Sequence, residues 1–140
     1  MKLKALCSAA GAIGSSIVGY MFGGWDTAIQ TLLIFMAIDF ISALILAGVF
    51  HKSSKTESGA LESKTCWKGL MRKGMTLLIV MVATRLDMAT GQNFIRDAVC
   101  IAFIVNEAIS IIENAGLMGV PIPDILMDAI DLLKRQKEGK

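Results

Sequence analysis

Acidic and amide side chains lie inside stretches of this 140-residue chain that are otherwise apolar. Asp39 is near the middle of the most apolar stretch, and a carboxylate at that depth in a bilayer costs at least about 2.5–3.5 kcal/mol. We therefore expect it to be protonated, paired or turned toward a bundle interior. A second set of polar residues shares one arc of about 120° on a later helix, at 100° per residue. This polar stripe contains Asn106, Glu107, Ser110, Glu113 and Asn114.

Such a stripe forms interhelical hydrogen bonds, lines a wet lumen, or does both. The sequence contains no catalytic triad built on Ser, Cys or His, no glycine-rich loop that could bind phosphate, and no spacing typical of metal ligands. The three cysteines, Cys7, Cys66 and Cys100, are an odd number without paired spacing, and His51 is alone. We expect a protein that is not an enzyme and that uses no metal or cofactor.

Small residues recur every four positions in the first apolar stretch, on one side of a helix. Two interpretations are open, because small side chains let helices approach closely in lipid. The stripe packs within one subunit, or it meets other subunits or faces water when an assembly opens. Its members are Gly11, Ser15, Gly19 and Gly23, with Ser8, Ala12 and Ser16 on the adjacent row.

Four apolar stretches must position these residues, and they fill most of the chain: Ala5–Gly24, Thr27–Phe50, Leu70–Ala89 and Ala98–Ala115. About 20 helical residues cross a hydrocarbon core. Hydrophobic residues make up 54% of the chain and the mean hydropathy is +0.62. A soluble helical bundle would show a polar face on every helix, which the second stretch lacks. The prediction is an all-α, polytopic membrane bundle with four transmembrane helices.

The basic residues predict the orientation of these crossings. Twelve of the fourteen Lys and Arg residues fall at the amino terminus, in the central loop and at the carboxyl terminus. The positive-inside rule assigns all three to the cytoplasm, so both termini lie inside the bacterial inner membrane. The alternative has three crossings, with the first helix in the membrane surface or, less favoured, removed as a signal peptide. The predicted anchors at the membrane surface are Trp25, Trp67, Lys68, Arg72 and Lys73.

Two regions follow from this pattern. Residues 1–120 form the membrane-spanning part, with a polar cytoplasmic loop at 51–69, and residues 121–140 form a cytoplasmic amphipathic helix with a basic tail. Pro121 and Pro123 end the fourth helix, and Asp124 is placed to cap the next one. That short helix lies on the inner membrane surface or docks on the bundle. Arg85, Asp87, Arg96 and Asp97 are explained as interfacial charges.

Several segments resemble the toxin secretion/phage lysis holin family, also named phage holin family 4. They are IFMAIDFISALILAG around Asp39, the basic KGLMRKG, the pair Leu86–Asp87, and NEAISIIENAGLMGVPIP from Asn106 to Pro123. The likeness runs from about Leu32 to Leu133, and one departure is the absence of a glycine close after Asp39.

The resemblance implies a small phage or prophage protein of the inner membrane. Such proteins accumulate as homo-oligomers and assemble into lesions that release an endolysin or collapse the membrane potential, and clostridial relatives are associated with toxin export. Lipid, further copies of the chain, and an endolysin or exported toxin are the implied partners, and nucleic acid is not one of them.

The residues themselves support a mechanism in which Asp39 and the polar stripe are first hidden against other helices and later line water. No partner for Asp39 is identified, since Arg85 lies about two turns nearer the outer face. Two other functions stay open. One is an ion or proton channel, or a transporter-like protein, in which Asp39 and Glu107 relay protons. The other is a membrane scaffold that recruits a soluble partner.

Overall fold

The computed structural model describes residues 1–139, which form five α-helices and no strand. The helices are α1 (Lys2–Met21), α2 (Thr27–Gly48), α3 (Ser63–Thr90), α4 (Ile95–Leu117) and α5 (Asp124–Glu138). The all-helical prediction is confirmed. Length and hydropathy sufficient to cross a membrane are found in α1 and α2 within the described residues. Four crossings therefore stay a prediction.

Helix α2 begins where a side chain satisfies its free amides. The Asp26 carboxylate accepts a hydrogen bond from the Ile29 amide at 3.1 Å, which is the N-cap arrangement that stabilises a helix start. The helix ends at Gly48, two residues before the predicted end of the apolar stretch. A long run of Leu, Ile, Ala and Met between these points favours helix and leaves an apolar surface.

Helix α3 is longer than its apolar stretch, since it begins at Ser63 rather than at Leu70. Trp67 and Lys68 therefore lie on the helix and not in the central loop. At the other end, Gly91 has φ of 69°, a left-handed conformation that ends helices readily in glycine. The Asp87 carboxylate then accepts hydrogen bonds from the first two amides of α4, which fixes the turn between α3 and α4.

The segment between α2 and α3 folds back on itself. Within it the Ser53 amide donates to the Gly59 carbonyl at 3.0 Å, and the Thr56 hydroxyl donates to the Ala60 carbonyl at 2.9 Å. Gly59 is buried with φ of 71°, and a Cβ there would collide with the His51 carbonyl oxygen. The loop is therefore a hydrogen-bonded turn that depends on glycine at position 59.

Helix α4 is central to the packing, because it packs extensively against α2 and also against α3. The buried apolar core lies among these three helices and contains Ile29, Leu32, Met36, Val80 and Cys100. Helices α2 and α3 touch each other sparingly, and an open apolar groove separates them. Large apolar side chains cover much of the outer surface, as expected where lipid is the solvent.

The two terminal helices are joined loosely to this core. Every residue of α1 is exposed except Gly19, which is half-buried, and its clearest tether is a hydrogen bond from Arg85 Nη1 to the Tyr20 hydroxyl at 3.1 Å. Helix α5 follows Pro123, which occupies the N-cap position. Asp124 is therefore the first helical residue and not the predicted cap, because proline supplies the extended backbone needed before the first turn.

Candidate functional site: a buried polar cluster between α2, α3 and α4

Three charged side chains from three helices meet inside the bundle. Lys73 Nζ on α3 lies 2.7 Å from Asp39 Oδ2 on α2 and 2.6 Å from Glu107 Oε2 on α4. The side chains are 15%, 7% and 10% exposed, respectively. One ammonium group thus bridges two carboxylates, which is the pairing that buried charges require.

Neutral polar groups complete the arrangement around Asp39. Ser110 Oγ donates to Asp39 Oδ1 at 2.6 Å, and Asn114 Nδ2 donates to the same oxygen at 3.2 Å. Asn114 Nδ2 also donates to Ser42 Oγ at 2.9 Å. Within the described residues, every buried side-chain nitrogen or oxygen has a hydrogen-bond partner. We name the set Asp39, Ser42, Lys73, Glu107, Ser110 and Asn114 the central polar cluster.

Helical geometry explains why these residues converge. Glu107, Ser110 and Asn114 are spaced by three and four positions, so they point from one face of α4 toward α2 and α3. Because α2 and α3 run in opposite directions, Asp39 and Lys73 reach the same level. Lys73 is ten residues after the start of α3, and Asp39 is nine before the end of α2.

The cluster offers ion-pair chemistry between three helices. A buried pair contributes little net stability, whereas removal of one partner costs about 3–5 kcal/mol because a charge is left uncompensated. The central polar cluster therefore makes separation of α2, α3 and α4 unfavourable unless water or other polar groups replace the lost contacts. It can act as a polar connection that resists opening of the bundle.

A second polar arrangement, the Arg96 cluster, joins α4 to the turn before α2. Arg96 is 6% exposed, and its guanidinium makes a bidentate contact with Asp26 at 2.6 and 3.0 Å. It also donates to the carbonyl oxygens of Phe22 and Gly24 and to the Asp97 carboxylate. The hydrogen bond from Arg96 lowers the pKa of Asp26 below its ordinary value of 3.8, although burial opposes this shift.

Comparison with known proteins identifies the family of this chain. The model of the "Bacteriophage holin family" matches residues 16–135. The chain belongs to the bacteriophage holin family. It is 36% identical over 126 residues to an uncharacterised protein of Listeria monocytogenes, covering 89% of this chain and 84% of that protein. No solved structure matches the chain.

Two further relatives extend this holin comparison. The "Uncharacterized 14.9 kDa protein in nagH 3'region" of Clostridium perfringens is 34% identical over 120 residues, with 84% of this chain and 85% of that protein covered. The "Probable holin" of Bacillus phage phi105 is 30% identical over 122 residues, with 86% and 84% covered. The predicted family is confirmed, and membership supports a membrane location and a holin role connected with phage lysis.

In this holin, the structure separates the members of the predicted polar stripe. Glu107, Ser110 and Asn114 enter the central polar cluster, whereas Asn106 and Glu113 are exposed. The cluster also supplies the partner of Asp39 that the sequence left unidentified, and that partner is Lys73. Lys73 was predicted as a membrane-surface anchor, but it points into the bundle because α3 carries it to the level of Asp39.

The other predicted anchors, Trp25, Trp67, Lys68 and Arg72, are exposed.

Arg96, which was explained as an interfacial charge, is instead buried in a cluster of hydrogen bonds. The sequence places Arg96 in the first turn of α4 beside Asp97, which indicates one of its partners. Nothing in the sequence indicates that Asp26 is another.

The small-residue stripe of α1 is divided between two environments. A Cβ added at Gly11 or Gly19 would have no atom within 4 Å, so these glycines make no close helix contact within the subunit. The Ser15 hydroxyl donates to the Ala12 carbonyl on the same helix at 3.0 Å. Gly23 lies beyond α1, in a turn with φ of 78°, where an added Cβ would approach Arg96 Nε at 3.2 Å.

Proposed function

We propose that this chain is a holin that oligomerises in the bacterial cytoplasmic membrane and forms lesions there. The lesions permeabilise the membrane for release of an endolysin or export of a toxin, and the host cell lyses. Family membership supports the holin role. The observation that carries the mechanism is the central polar cluster, in which one subunit hides its own charged groups.

The proposed topology has four crossings with both termini in the cytoplasm. Lys73 lowers the average hydropathy of α3, but its charge is paired inside the bundle. Between Arg72 and Arg85, the most exposed large side chains of α3 are apolar, so lipid meets a hydrocarbon surface. These side chains are Met75, Leu78, Ile79 and Val82. The positions of the basic residues support the orientation.

The mechanism depends on contacts within one subunit. Because Asp39 and Glu107 share Lys73, an isolated bundle keeps these three charged groups away from lipid. Opening exchanges these contacts for water and for groups on neighbouring subunits, which is favourable when many copies surround a common aqueous space. The closed bundle therefore allows accumulation, and dense assembly allows opening.

The test is inducible expression in bacteria with a co-expressed endolysin that lacks its own export signal. The expected result is normal growth, then an abrupt fall in membrane potential together with endolysin release. Graded, selective conductance without endolysin release would instead identify a fixed ion or proton channel. No change in permeability would overturn both functions and leave a scaffold.

Matched substitutions test the role of the cluster. Glu107→Gln weakens the hold on Lys73 and is expected to advance lysis at equal membrane protein level. Glu57→Gln removes the same charge from the exposed loop and is expected to leave lysis timing unchanged. Identical timing for both variants would contradict the proposed role of the central polar cluster.

A further inference from the structure

Helix α5 presents an apolar face that the rest of the subunit leaves largely uncovered. At 100° per residue, five of its described apolar residues share an arc of about 160°, and Met127 lies about 60° beyond that arc. The five are Ile125, Leu126, Ala129, Ile130 and Leu132. Ile125 is 77% exposed and Leu132 is 59% exposed, whereas Ile130 is buried at 6%. Among the described residues, α5 forms no extensive contact with another helix. The apolar face therefore needs a partner outside the bundle.

The connection to α4 limits where that partner can be. Helix α4 ends at Leu117, and six residues precede α5. Six extended residues span at most about 20 Å. Two hydrogen bonds shorten this connection further, from the Gly119 amide to the Gly116 carbonyl and from the Val120 amide to the Ala115 carbonyl. If α4 crosses the membrane, α5 is held beside the bilayer surface.

The charges of α5 complement an anionic surface at its carboxyl end. Asp124, Asp128 and Asp131 are exposed and share the side opposite the apolar arc. Four basic residues and one acidic residue, Glu138, then follow in the sequence, and the basic ones are Lys134, Arg135, Lys137 and Lys140. Each basic residue near an anionic leaflet increases the partition of a segment from water onto the membrane about fivefold.

From this placement we infer that α5 binds the cytoplasmic surface of the membrane, with its apolar face in the headgroup boundary and anionic lipid beside its basic end. Insertion by about 5–10 Å covers the face that the bundle leaves open. The inference rests on the proposed topology and adds a lipid-binding surface to it. Ile130 keeps its contact within the subunit, and the exposed remainder of the face is the part that meets lipid.

The test uses the full chain in vesicles, with its three cysteines replaced and one fluorophore attached at a new cysteine. Ala129→Cys and Asp131→Cys form a matched pair, because both residues are exposed and they lie about 160° apart around the helix. Ile41→Cys on the exposed side of α2 reports insertion of the bundle separately. Nitroxide-labelled lipid and aqueous iodide are the two quenchers.

In vesicles containing phosphatidylglycerol, the label at position 129 is expected to be quenched several-fold more by lipid than the label at position 131, with the reverse order for iodide. Zwitterionic vesicles and high salt should reduce this difference. Equal iodide quenching at both positions, with lipid quenching retained at position 41, would overturn the inference alone.

If the label at position 129 is shielded from both quenchers in vesicles but not in nanodiscs that hold one copy, the apolar face contacts a second copy. That result would overturn the inference. Loss of lipid quenching at position 41 would instead contradict the proposed topology.

Discussion

Replacement of Lys73 by Met removes the cation that joins three helices while keeping a side chain of similar length. In the wild-type bundle, Lys73 makes two hydrogen-bonded ion pairs, at 2.7 and 2.6 Å, with carboxylates that are 7% and 10% exposed. The variant leaves Asp39 and Glu107 facing each other without a positive charge. Both carboxylates then lack the group that compensated their burial.

The expected loss follows from these contacts. Hydrogen bonds to charged groups contribute about 1.5–3 kcal/mol each, and two of them give roughly 3–6 kcal/mol. Breaking a buried ion pair by removing one partner costs about 3–5 kcal/mol in measured cases. The two ranges overlap, so Lys73→Met should lower the free energy of unfolding by about 3–5 kcal/mol.

In the assay, SDS is titrated into the purified protein in mild detergent, and circular dichroism monitors the loss of helix. Lys68→Met is the matched control, because Lys68 is exposed on the same helix, and its effect should stay within about 0.5 kcal/mol. Combining Lys73→Met with Asp39→Asn and Glu107→Gln should restore most of the loss, since no net charge then remains buried. Equal unfolding free energies for Lys73→Met and Lys68→Met would refute the reasoning.

Three further outcomes concern the turn between α1 and α2 and the loop between α2 and α3. Arg96→Met should lower the unfolding free energy by about 1–3 kcal/mol in the same titration, because Asp26 and two turn carbonyls lose their donor. The Arg96–Asp26 contact contributes fully to the unfolding free energy above the ordinary Asp26 pKa of 3.8, and this contribution disappears as pH falls through the lower pKa that Asp26 has in the folded protein. The difference in unfolding free energy between wild type and Arg96→Met should therefore be smaller in acid. Gly59→Ala should destabilise the loop by more than the about 1–2 kcal/mol that a left-handed conformation costs, because its Cβ would also collide with the His51 carbonyl oxygen, and proteolysis of the loop should be faster.

Each of these outcomes has a contrary result. An unfolding free energy unchanged by Arg96→Met would mean that the Arg96 cluster does not stabilise the turn between α1 and α2. If the difference in unfolding free energy between wild type and Arg96→Met stays constant in acid, the loss of stability in acid comes from carboxylates other than Asp26. Equal cleavage rates for wild type and Gly59→Ala would mean that the loop tolerates a side chain at position 59.

Hydrophobic periodicity predicted the helices well, because a long apolar run has few other ways to satisfy its backbone. The four apolar stretches correspond to α1 to α4, with ends that move by up to several residues. The spacing of Glu107, Ser110 and Asn114 also indicated correctly that they share one face. These features depend on local geometry, which the sequence contains directly.

Partners across helices were harder to predict. Lys73 follows three basic residues, Lys64, Lys68 and Arg72, so its charge was grouped with the membrane surface. The true start of α3 at Ser63 places it at the level of Asp39 instead. A count of residues from both helix ends would have shown this match, but only once those ends were known. Arg96 was interpreted as an interfacial charge, and its partners Phe22 and Asp26 were not predicted because they lie far earlier in the chain.

The position of α4 between two helices that barely touch has a mechanical consequence. Pulling α2 away from α3 exposes little apolar surface, whereas pulling either one from α4 uncovers the core around Leu32 and Cys100. The two movements therefore differ in stiffness. Separation of α2 from α3 is resisted mainly by the Lys73–Asp39 ion pair, whereas separation of either helix from α4 is resisted by the packed apolar core.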